Sequence, residues 1–258
     1  TTSYYFAQNG APLYSEDGMT TAINEEKGQE AFDLLTSLFG TYSIPVTTEN
    51  FFNSFRYGRI PIGISNLDTY IKLKNGAPEI AGMWDIAPSP GIMDENGVVH
   101  RDQTSAGETA VIMKRTTMKN EAWDFLKWWL STEVQEEYGF IMQTKFGPTY
   151  IWNTANEEAF QSTDIEKQHM DVIFEQWKWT YEVPLHPASY MLERELSNAW
   201  NNVVVKNREA RASLDKAVIN INREMERKLQ EFGYFENGQM VKPYRIASLD
   251  LIEEDGRS

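Results

Sequence analysis

The chain of 258 residues contains no cysteine. This absence excludes disulfides, thiolate metal sites and cysteine nucleophiles. Long hydrophobic runs are also missing, since no apolar stretch approaches the roughly 20 residues that cross a bilayer. The sequence shows no signal peptide and opens without methionine. We therefore expect a mature product or an excised segment, with any targeting information removed.

Basic residues are scarce relative to acidic ones. There are 24 Lys and Arg against 38 Asp and Glu, which gives a formal net charge of -14. Such a field repels phosphate backbones, so the composition disfavours nucleic acid as a partner and leaves neutral or cationic ligands open. With 41% hydrophobic and 13% aromatic residues, the chain is typical of a folded globular protein.

Catalytic patterns are equally hard to find. The three histidines, His100, His169 and His186, lie far apart, and none has a second metal ligand four residues on. We predict that each lies at the surface or in a turn. The sequence has no glycine-rich phosphate loop and no nucleophile elbow. We also interpret the acidic side chains nearest strand ends and turns as solvated rather than catalytic; these are Asp68, Asp85, Glu108, Glu193 and Glu195.

Hydrophobic periodicity predicts an α/β first half and a helical second half. Apolar runs predict strands at residues 60–64, 84–87 and 109–113, and Asp-Glu-Asn-Gly at 94–97 predicts a hairpin loop. No strand is expected after Phe140. Helices are predicted at residues 24–41, 50–57, 119–138, 156–160, 164–181, 192–205 and 209–232.

The aromatic residues carry the strongest functional signal. The chain has 8 Trp and 12 Tyr, and several lie beside Asn or Asp, the pairing that a sugar site needs, because aromatic faces stack on sugar C–H groups while polar side chains bind hydroxyls. Trp177 and Trp179 cannot share one helix face, so at most one of them belongs to a core. For Trp152 and Tyr190, core and site remain equally open. On apolar helix stripes, and therefore assigned to packing, are Trp123, Trp129 and Trp200.

Five segments, in order, resemble the family-1 extracellular solute-binding proteins, the receptors of ATP-driven sugar importers. They are GAPLYSEDGMTTAINEEKGQEAFDLLTSLF, NSFRYGRIPIGISNLDTY, MWDIAPSPG, TSAGETAVIMKRTTMKNEAWDFLKWWLS, and FGPTY with the helices that end in ASLDKAVININREM. The resemblance implies an incomplete α/β, periplasmic-binding-protein-like (type II) two-lobed fold with a mainly helical C-terminal half. It assigns residues 1–83 to lobe two, 84–140 to a returning segment of lobe one and 141–258 to the rest of lobe two, with the N-terminal part of lobe one absent.

The resemblance also implies a function and a site. We expect a non-enzymatic receptor of an ABC importer that captures a sugar, an oligosaccharide by preference, in an interlobe cleft by hinge closure and delivers it to the permease. No cofactor or metal is expected. The location would be extracytoplasmic, at a Gram-positive cell surface through an N-terminal lipid anchor outside this chain, or periplasmic. The predicted ligand-binding residues, with Tyr70 as the aromatic platform, are Asn66, Asp68, Thr69, Tyr70, Thr104, Ser105, Gly107, Glu108, Tyr150, Trp152, Trp179 and Tyr190.

Three alternatives remain open at this point. One is a glycoside hydrolase or lyase, which needs a pair of catalytic carboxylates that the sequence does not show at a recognisable spacing. Another is a receptor for peptides or amino acids, because aromatic and carboxylate contacts serve those ligands too. The third is a helical scaffold that binds protein partners through an exposed aromatic patch.

Overall fold

The computed structural model describes residues 3–105 and 107–246. Within these residues, six short strands form three two-stranded sheets: β1 (Ile92–Met93) pairs antiparallel with β2 (Val99–His100), β3 (Gln103–Thr104) pairs parallel with β4 (Thr180–Tyr181), and β5 (Phe235–Glu236) pairs antiparallel with β6 (Gln239–Met240). The helices are α1 (Tyr4–Gln8), α2 (Glu26–Gly40), α3 (Phe51–Arg56), α4 (Leu67–Gly76), α5 (Lys119–Trp129), α6 (Thr132–Phe146), α7 (Glu157–Gln161), α8 (Lys167–Trp177), α9 (Ser189–Val204) and α10 (Ala210–Glu231).

The chain divides into two compact units. Unit one comprises the described residues of Thr1–Thr47, Ser89–Ser105 and Lys178–Ser258, and unit two comprises those of Thr48–Pro88 and Ala106–Trp177. These limits differ from the predicted lobe boundaries at residues 83 and 140. The assignment of segments to lobes therefore stays a prediction.

The core of unit one is built on α10. Its apolar residues recur at helical spacing and form one seam along the helix, with Leu214, Ile221, Met225 and Leu229 all fully buried. This face packs against α9 and α2, whose small residues allow close approach of the helices. A polar contact lies beside this core, because Asn24 Nδ2 donates to Asp215 Oδ1 on α10 at 2.8 Å.

The predicted hairpin in unit one is confirmed. Asp94 organises its loop, because Oδ1 accepts from the backbone N–H groups of Asn96 at 2.9 Å and Val98 at 2.8 Å. Gly97 supplies the positive φ of 81° that the turn requires. The hairpin places His100 at the end of β2, immediately before the chain enters β3.

Unit two has a smaller core between α4, α7 and α8. Tyr70 and Ile71 of α4, Phe160 of α7 and Met170 of α8 are buried there with Ile165. Asn66 begins α4, since its side chain accepts from the backbone N–H of Thr69 at 3.2 Å. This cap fixes where the helix starts and places Tyr70 in its first turn, facing inward.

The three predicted strands were wrong. Residues 60–64, 84–87 and 109–113 lie outside the strands of the described chain. Ile62 and Val111 are largely exposed instead. A strand requires a neighbour that pairs with its backbone N–H and C=O groups. Composition can identify apolar, β-branched segments, but it cannot supply that neighbour.

Two helix predictions need correction in unit two. The helix expected at 119–138 is broken between α5 and α6, where the Ser131 hydroxyl donates to the Trp128 carbonyl at 2.7 Å and replaces helical bonding. Trp123, assigned to packing, is 55% exposed on α5. The helix expected at 164–181 ends at Trp177, because the following residues pair with β3 instead. Strands therefore do continue beyond Phe140.

Within residues 3–105 and 107–246, no helix combines the length and hydropathy that a bilayer crossing requires. The same residues contain no group of three His, Cys, Asp or Glu side chains placed to hold a metal ion.

Candidate functional site

In unit one, the parallel pair β3–β4 joins two segments that carry predicted site residues. The backbone N–H of Gln103 donates to the carbonyl of Trp179 at 3.0 Å, and Thr104 lies opposite Tyr181 in the register. Thr104 and Trp179, far apart in sequence, thus belong to one strand pair. Ser105 follows β3 directly and is exposed.

Polar and aromatic side chains meet beside this strand pair. The His100 imidazole contacts the Trp179 indole edge-on, with ring centroids 5.6 Å apart. His100 Nδ1 lies 3.8 Å from Asp102 Oδ2, and Nε2 lies 3.3 Å from Asp94 Oδ2. We call His100, Asp102, Trp179 and Tyr181 the unit-one cluster. It combines indole and phenol rings with a carboxylate, which are groups that bind sugars.

The electrostatics of the unit-one cluster centre on Asp102. Its Oδ2 atom is buried and has no hydrogen-bond partner, whereas its backbone carbonyl accepts from Gln8 Nε2 at 2.9 Å. Burial, with a further contribution from the negative charge of Asp102, raises the pKa of Tyr181 to about 12. The Tyr181 hydroxyl is therefore protonated at neutral pH. Asp102 offers an unused acceptor next to it.

Tyr190, also in unit one, is 49% exposed on α9. Its hydroxyl donates to Glu224 Oε1 on α10, and Arg227 Nη2 donates to the same oxygen at 2.6 Å. Arg227 first, and Tyr190 second, hold the pKa of Glu224 down at about 2. The open ring of Tyr190 is thus fixed by a charged partner, a geometry that suits a stacking surface.

In unit two, the predicted site residues Asn66, Asp68 and Thr69 lie at the N-terminal end of α4. Besides the Asn66 cap, Ser65 Oγ donates to Thr69 Oγ1 at 2.7 Å, and Asp68 is exposed in the first turn of α4. An acidic residue there stabilises the positive end of the helix dipole. Capping thus accounts for these polar groups without any ligand.

Tyr70 is only 6% exposed, and its ring is covered rather than open to a ligand. The ring packs edge-on against Trp84 at 5.5 Å and His169 at 5.3 Å. Its hydroxyl lies 2.9 Å from His169 Nδ1, and His169 Nε2 lies 3.0 Å from Asp85 Oδ1. Burial and the negative charge of Glu166 raise the pKa of Tyr70. We call Tyr70, Trp84, Asp85 and His169 the unit-two cluster.

The remaining predicted residues of unit two lie in separate places. Trp152 packs against Tyr138 at 4.9 Å, and its Nε1 donates to Gln135 Oε1 at 2.7 Å. It also borders a cavity of about 280 Å³ along α6, lined with Gln135, Phe140 and others. Tyr150 is exposed and lies beside Phe146. Gly107 and Glu108 are also exposed and lie outside any helix or strand.

The prediction for the histidines was wrong for His169, which is buried on α8. His186 is also buried but lies in a turn, since its carbonyl accepts from the Ser189 N–H at 2.8 Å, and His100 is half-buried within the unit-one cluster. The sequence analysis missed Trp84, Asp85, His100, Asp102 and His169 as members of the two clusters. Several of their contacts join residues that are distant along the chain, such as His169 and Asp85, which lie 84 residues apart. The local signals were the adjacency of an aromatic and an acidic residue in Trp84-Asp85 and the short spacing of His100 and Asp102.

Comparison with known proteins decides the family. The sequence profile described as bacterial extracellular solute-binding protein matches residues 1–136. The chain belongs to this family. No curated sequence matches the solute-binding chain.

Solved structures show the fold of this solute-binding chain. The sugar-binding protein MalE of Xanthomonas citri matches with a TM-score of 0.74 at 14% identity, covering 91% of this chain and 58% of its own. A solute-binding protein of Thermotoga lettingae, bound with α-D-tagatose, gives 0.60 at 17% identity, covering 87% and 55%. A substrate-binding protein of Listeria monocytogenes, in complex with cycloalternan, gives 0.53 at 19%, covering 87% and 56%.

These comparisons confirm the predicted fold class. The solute-binding chain spans less than two thirds of the length of the structures it matches, and it is helix-rich with few strands. It is therefore a partial α/β fold of the two-lobed solute-binding type.

Proposed function

We propose that the chain is part of a carbohydrate receptor of an ABC importer, and that the unit-one cluster contacts the sugar. The observation that carries this proposal is the buried Oδ2 of Asp102, which has no hydrogen bond and lies in one cluster with Trp179 and Tyr181. A buried carboxylate oxygen without a donor costs free energy, and a ligand hydroxyl would relieve that cost. An adjacent indole favours a sugar over a simple polyol.

Family membership supports the receptor part of the proposal. The sugar class is supported by the similar structures, which include a complex with tagatose, a sugar-binding protein and a complex with cycloalternan. Net charge also agrees, because a chain of charge -14 repels anionic ligands. The proposal also includes three finer points: the preferred ligand is an oligosaccharide, it is captured in an interlobe cleft, and it is delivered to the permease subunits.

The proposed binding residues retain most of the predicted set. In unit one they are Thr104, Ser105, Trp179 and Tyr190, joined by Asp102. In unit two, the exposed Asp68 and Glu108 remain candidates with Asn66, Thr69, Gly107, Tyr150 and Trp152. We propose an extracytoplasmic location for the protein and, as a finer point, attachment to a cell surface through a lipid anchor.

The test is a thermal-shift and calorimetric titration with maltose and D-tagatose, with a short neutral peptide in parallel. A ligand at 100 times its Kd stabilises the folded state by about 2.7 kcal/mol. Trp179→Ala should weaken sugar binding about tenfold, and Trp179→Phe less, because the phenyl ring keeps an aromatic face. Trp123→Ala, which removes an exposed indole of unit two, is the matched control.

Asp102→Asn tests the acceptor directly, since it keeps the shape of the side chain but replaces one oxygen with a donor. We expect weaker sugar binding in a folded variant. Binding of the peptide alone would replace the carbohydrate proposal with a peptide receptor. Sugar binding unchanged by both Trp179→Ala and Asp102→Asn would move the site away from the unit-one cluster.

A further inference from the structure

Tyr70 cannot present its ring to a ligand in unit two, because Trp84 and His169 cover it. Trp84, in contrast, remains partly exposed at the edge of the same small core. Its indole lies over the His169 imidazole, with centroids 5.8 Å apart and an interplanar angle of 21°. The imidazole therefore supports one face of the indole, and Tyr70 meets it edge-on.

A chain of hydrogen bonds holds the supporting imidazole. The Asp85 carboxylate accepts from His169 Nε2 at 3.0 Å, which leaves Nδ1 to accept the Tyr70 hydroxyl at 2.9 Å. Both ring nitrogens are thus engaged, and the orientation of the imidazole is fixed from two sides. Because Tyr70 is anchored in α4 and His169 in α8, two helices together determine where the ring lies.

Asp85 can also accept a hydrogen bond from a group outside this chain of hydrogen bonds. Its side chain is 62% exposed, although Oδ1 also accepts from the Ile86 backbone at 2.8 Å and Oδ2 from Gln168 Nε2 at 3.3 Å. A carboxylate has about four acceptor positions, so one remains for an external donor. An accessible carboxylate next to a supported indole is the combination that binds a sugar ring through its C–H face and a hydroxyl.

We infer that Trp84 and Asp85 form a sugar-contacting pair in unit two, and that Tyr70 and His169 are positioning residues that hold Trp84. The inference rests on the proposed carbohydrate function and names residues that neither sequence pattern nor family resemblance assigned to the ligand. It gives Tyr70 a supporting position in place of direct contact.

The experiment compares Trp84→Ala, Trp84→Leu and Trp84→Phe with wild type and Trp123→Ala in calorimetric titrations with maltose and D-tagatose. We expect a loss of affinity of about tenfold or more for Ala and Leu, two- to threefold for Phe, and none for Trp123→Ala. Trp84→Leu keeps apolar packing, so it carries the test if the alanine variant does not fold.

The positioning role has a separate readout. Tyr70→Phe removes only the hydroxyl that binds His169, so the core volume is preserved. The emission of Trp84 is isolated by subtracting the fluorescence spectrum of Trp84→Phe from that of the wild type, and the spectrum of the double variant Tyr70→Phe/Trp84→Phe from that of Tyr70→Phe. We expect the isolated emission to shift in Tyr70→Phe, together with a several-fold loss of affinity. A purely structural Tyr70 would lower the melting temperature and leave both quantities unchanged.

The outcomes separate the two proposals. Sugar binding that survives intact in folded Trp84→Ala or Trp84→Leu overturns the inference and leaves the carbohydrate function standing. Failure of the wild type to bind either sugar overturns the proposed function, and the sugar-contacting pair falls with it. Loss of binding in the Trp84 variants with an unchanged Trp84 emission in Tyr70→Phe rejects the positioning role of Tyr70.

Discussion

Nδ1 of His186 accepts a hydrogen bond from the backbone N–H of Ala188 at 3.0 Å. A nitrogen that accepts carries no proton, so the imidazole is neutral in the folded chain. It is buried in unit one between the rings of Tyr14, at 5.6 Å, and Tyr244, at 5.2 Å. Burial lowers the pKa of His186 from its ordinary 6.5 to about 4, opposed in part by a backbone group of Gly18.

This depressed pKa predicts a loss of stability in acid. Between pH of about 6.5 and 4 the unfolded chain binds a proton at His186 that the folded chain does not. The free energy of unfolding therefore falls as pH decreases through that window and is fully retained above it. Urea unfolding at a series of pH values measures the slope. The slope should flatten in His186→Gln and persist in the control His100→Gln; equal slopes in all three proteins would contradict the prediction.

Ile221 and Ile219 provide a matched pair on α10. Ile221 is 0% exposed in the core of unit one, whereas Ile219 is 60% exposed on the same helix. Ile221→Ala should lower the free energy of unfolding by about 2–5 kcal/mol, because it opens a cavity. Ile219→Ala should change it by no more than about 0.5 kcal/mol. Comparable losses in the two variants, measured by urea denaturation, would show that the α10 seam is placed incorrectly.

Substitutions at Asn66 can distinguish its role as the cap of α4 from a role in ligand binding. Asn66→Ala should cost about 1 kcal/mol of stability, since it removes the acceptor for the Thr69 N–H. Asn66→Asp keeps the cap and should restore the stability. If Asn66 also binds sugar through its amide donor, Asn66→Asp will bind more weakly despite its stability. Normal binding in Asn66→Asp would leave Asn66 with capping alone.

Periodicity predicted the helices well wherever one face had to be buried. The seam residues Leu214, Ile221, Met225 and Leu229 are spaced by seven, four and four residues, which places them on one helix face, and the structure buries all four. Local turn chemistry was equally informative, because Asp94 and Gly97 act within a few residues of each other.

Pairing over long distances could not be predicted from the sequence. Residues 178–181 continue a helical pattern, yet they form β4 because β3 supplies backbone partners. Likewise, an aromatic residue in polar company, such as Tyr70, was a reasonable platform candidate until Trp84 and His169 covered it. Local patterns identify residue types that suit a sugar, whereas burial decides which of them can reach one.

Gln135 is the centre of a buried polar network in unit two. Its Oε1 accepts from Trp152 Nε1 and from Thr154 Oγ1, both at 2.7 Å, and its Nε2 donates to the Trp129 carbonyl at 2.7 Å. Gln135→Met preserves the approximate volume but removes the partner of Trp152 Nε1 and of the Trp129 carbonyl, while Thr154 Oγ1 keeps only the bond that it accepts from the Asn156 N–H at 3.0 Å. Each stranded group costs about 1–3 kcal/mol when it stays buried, so we expect a large loss of stability.

A double-mutant cycle isolates the contact with Trp152. Trp152→Phe alone removes the indole donor, and Gln135→Met alone removes its acceptor. Because the combined variant no longer buries an unpaired indole N–H, the two losses should add to more than the loss measured for the double variant, by about 0.5–3 kcal/mol. Strict additivity in urea denaturation would mean that the two side chains are not coupled.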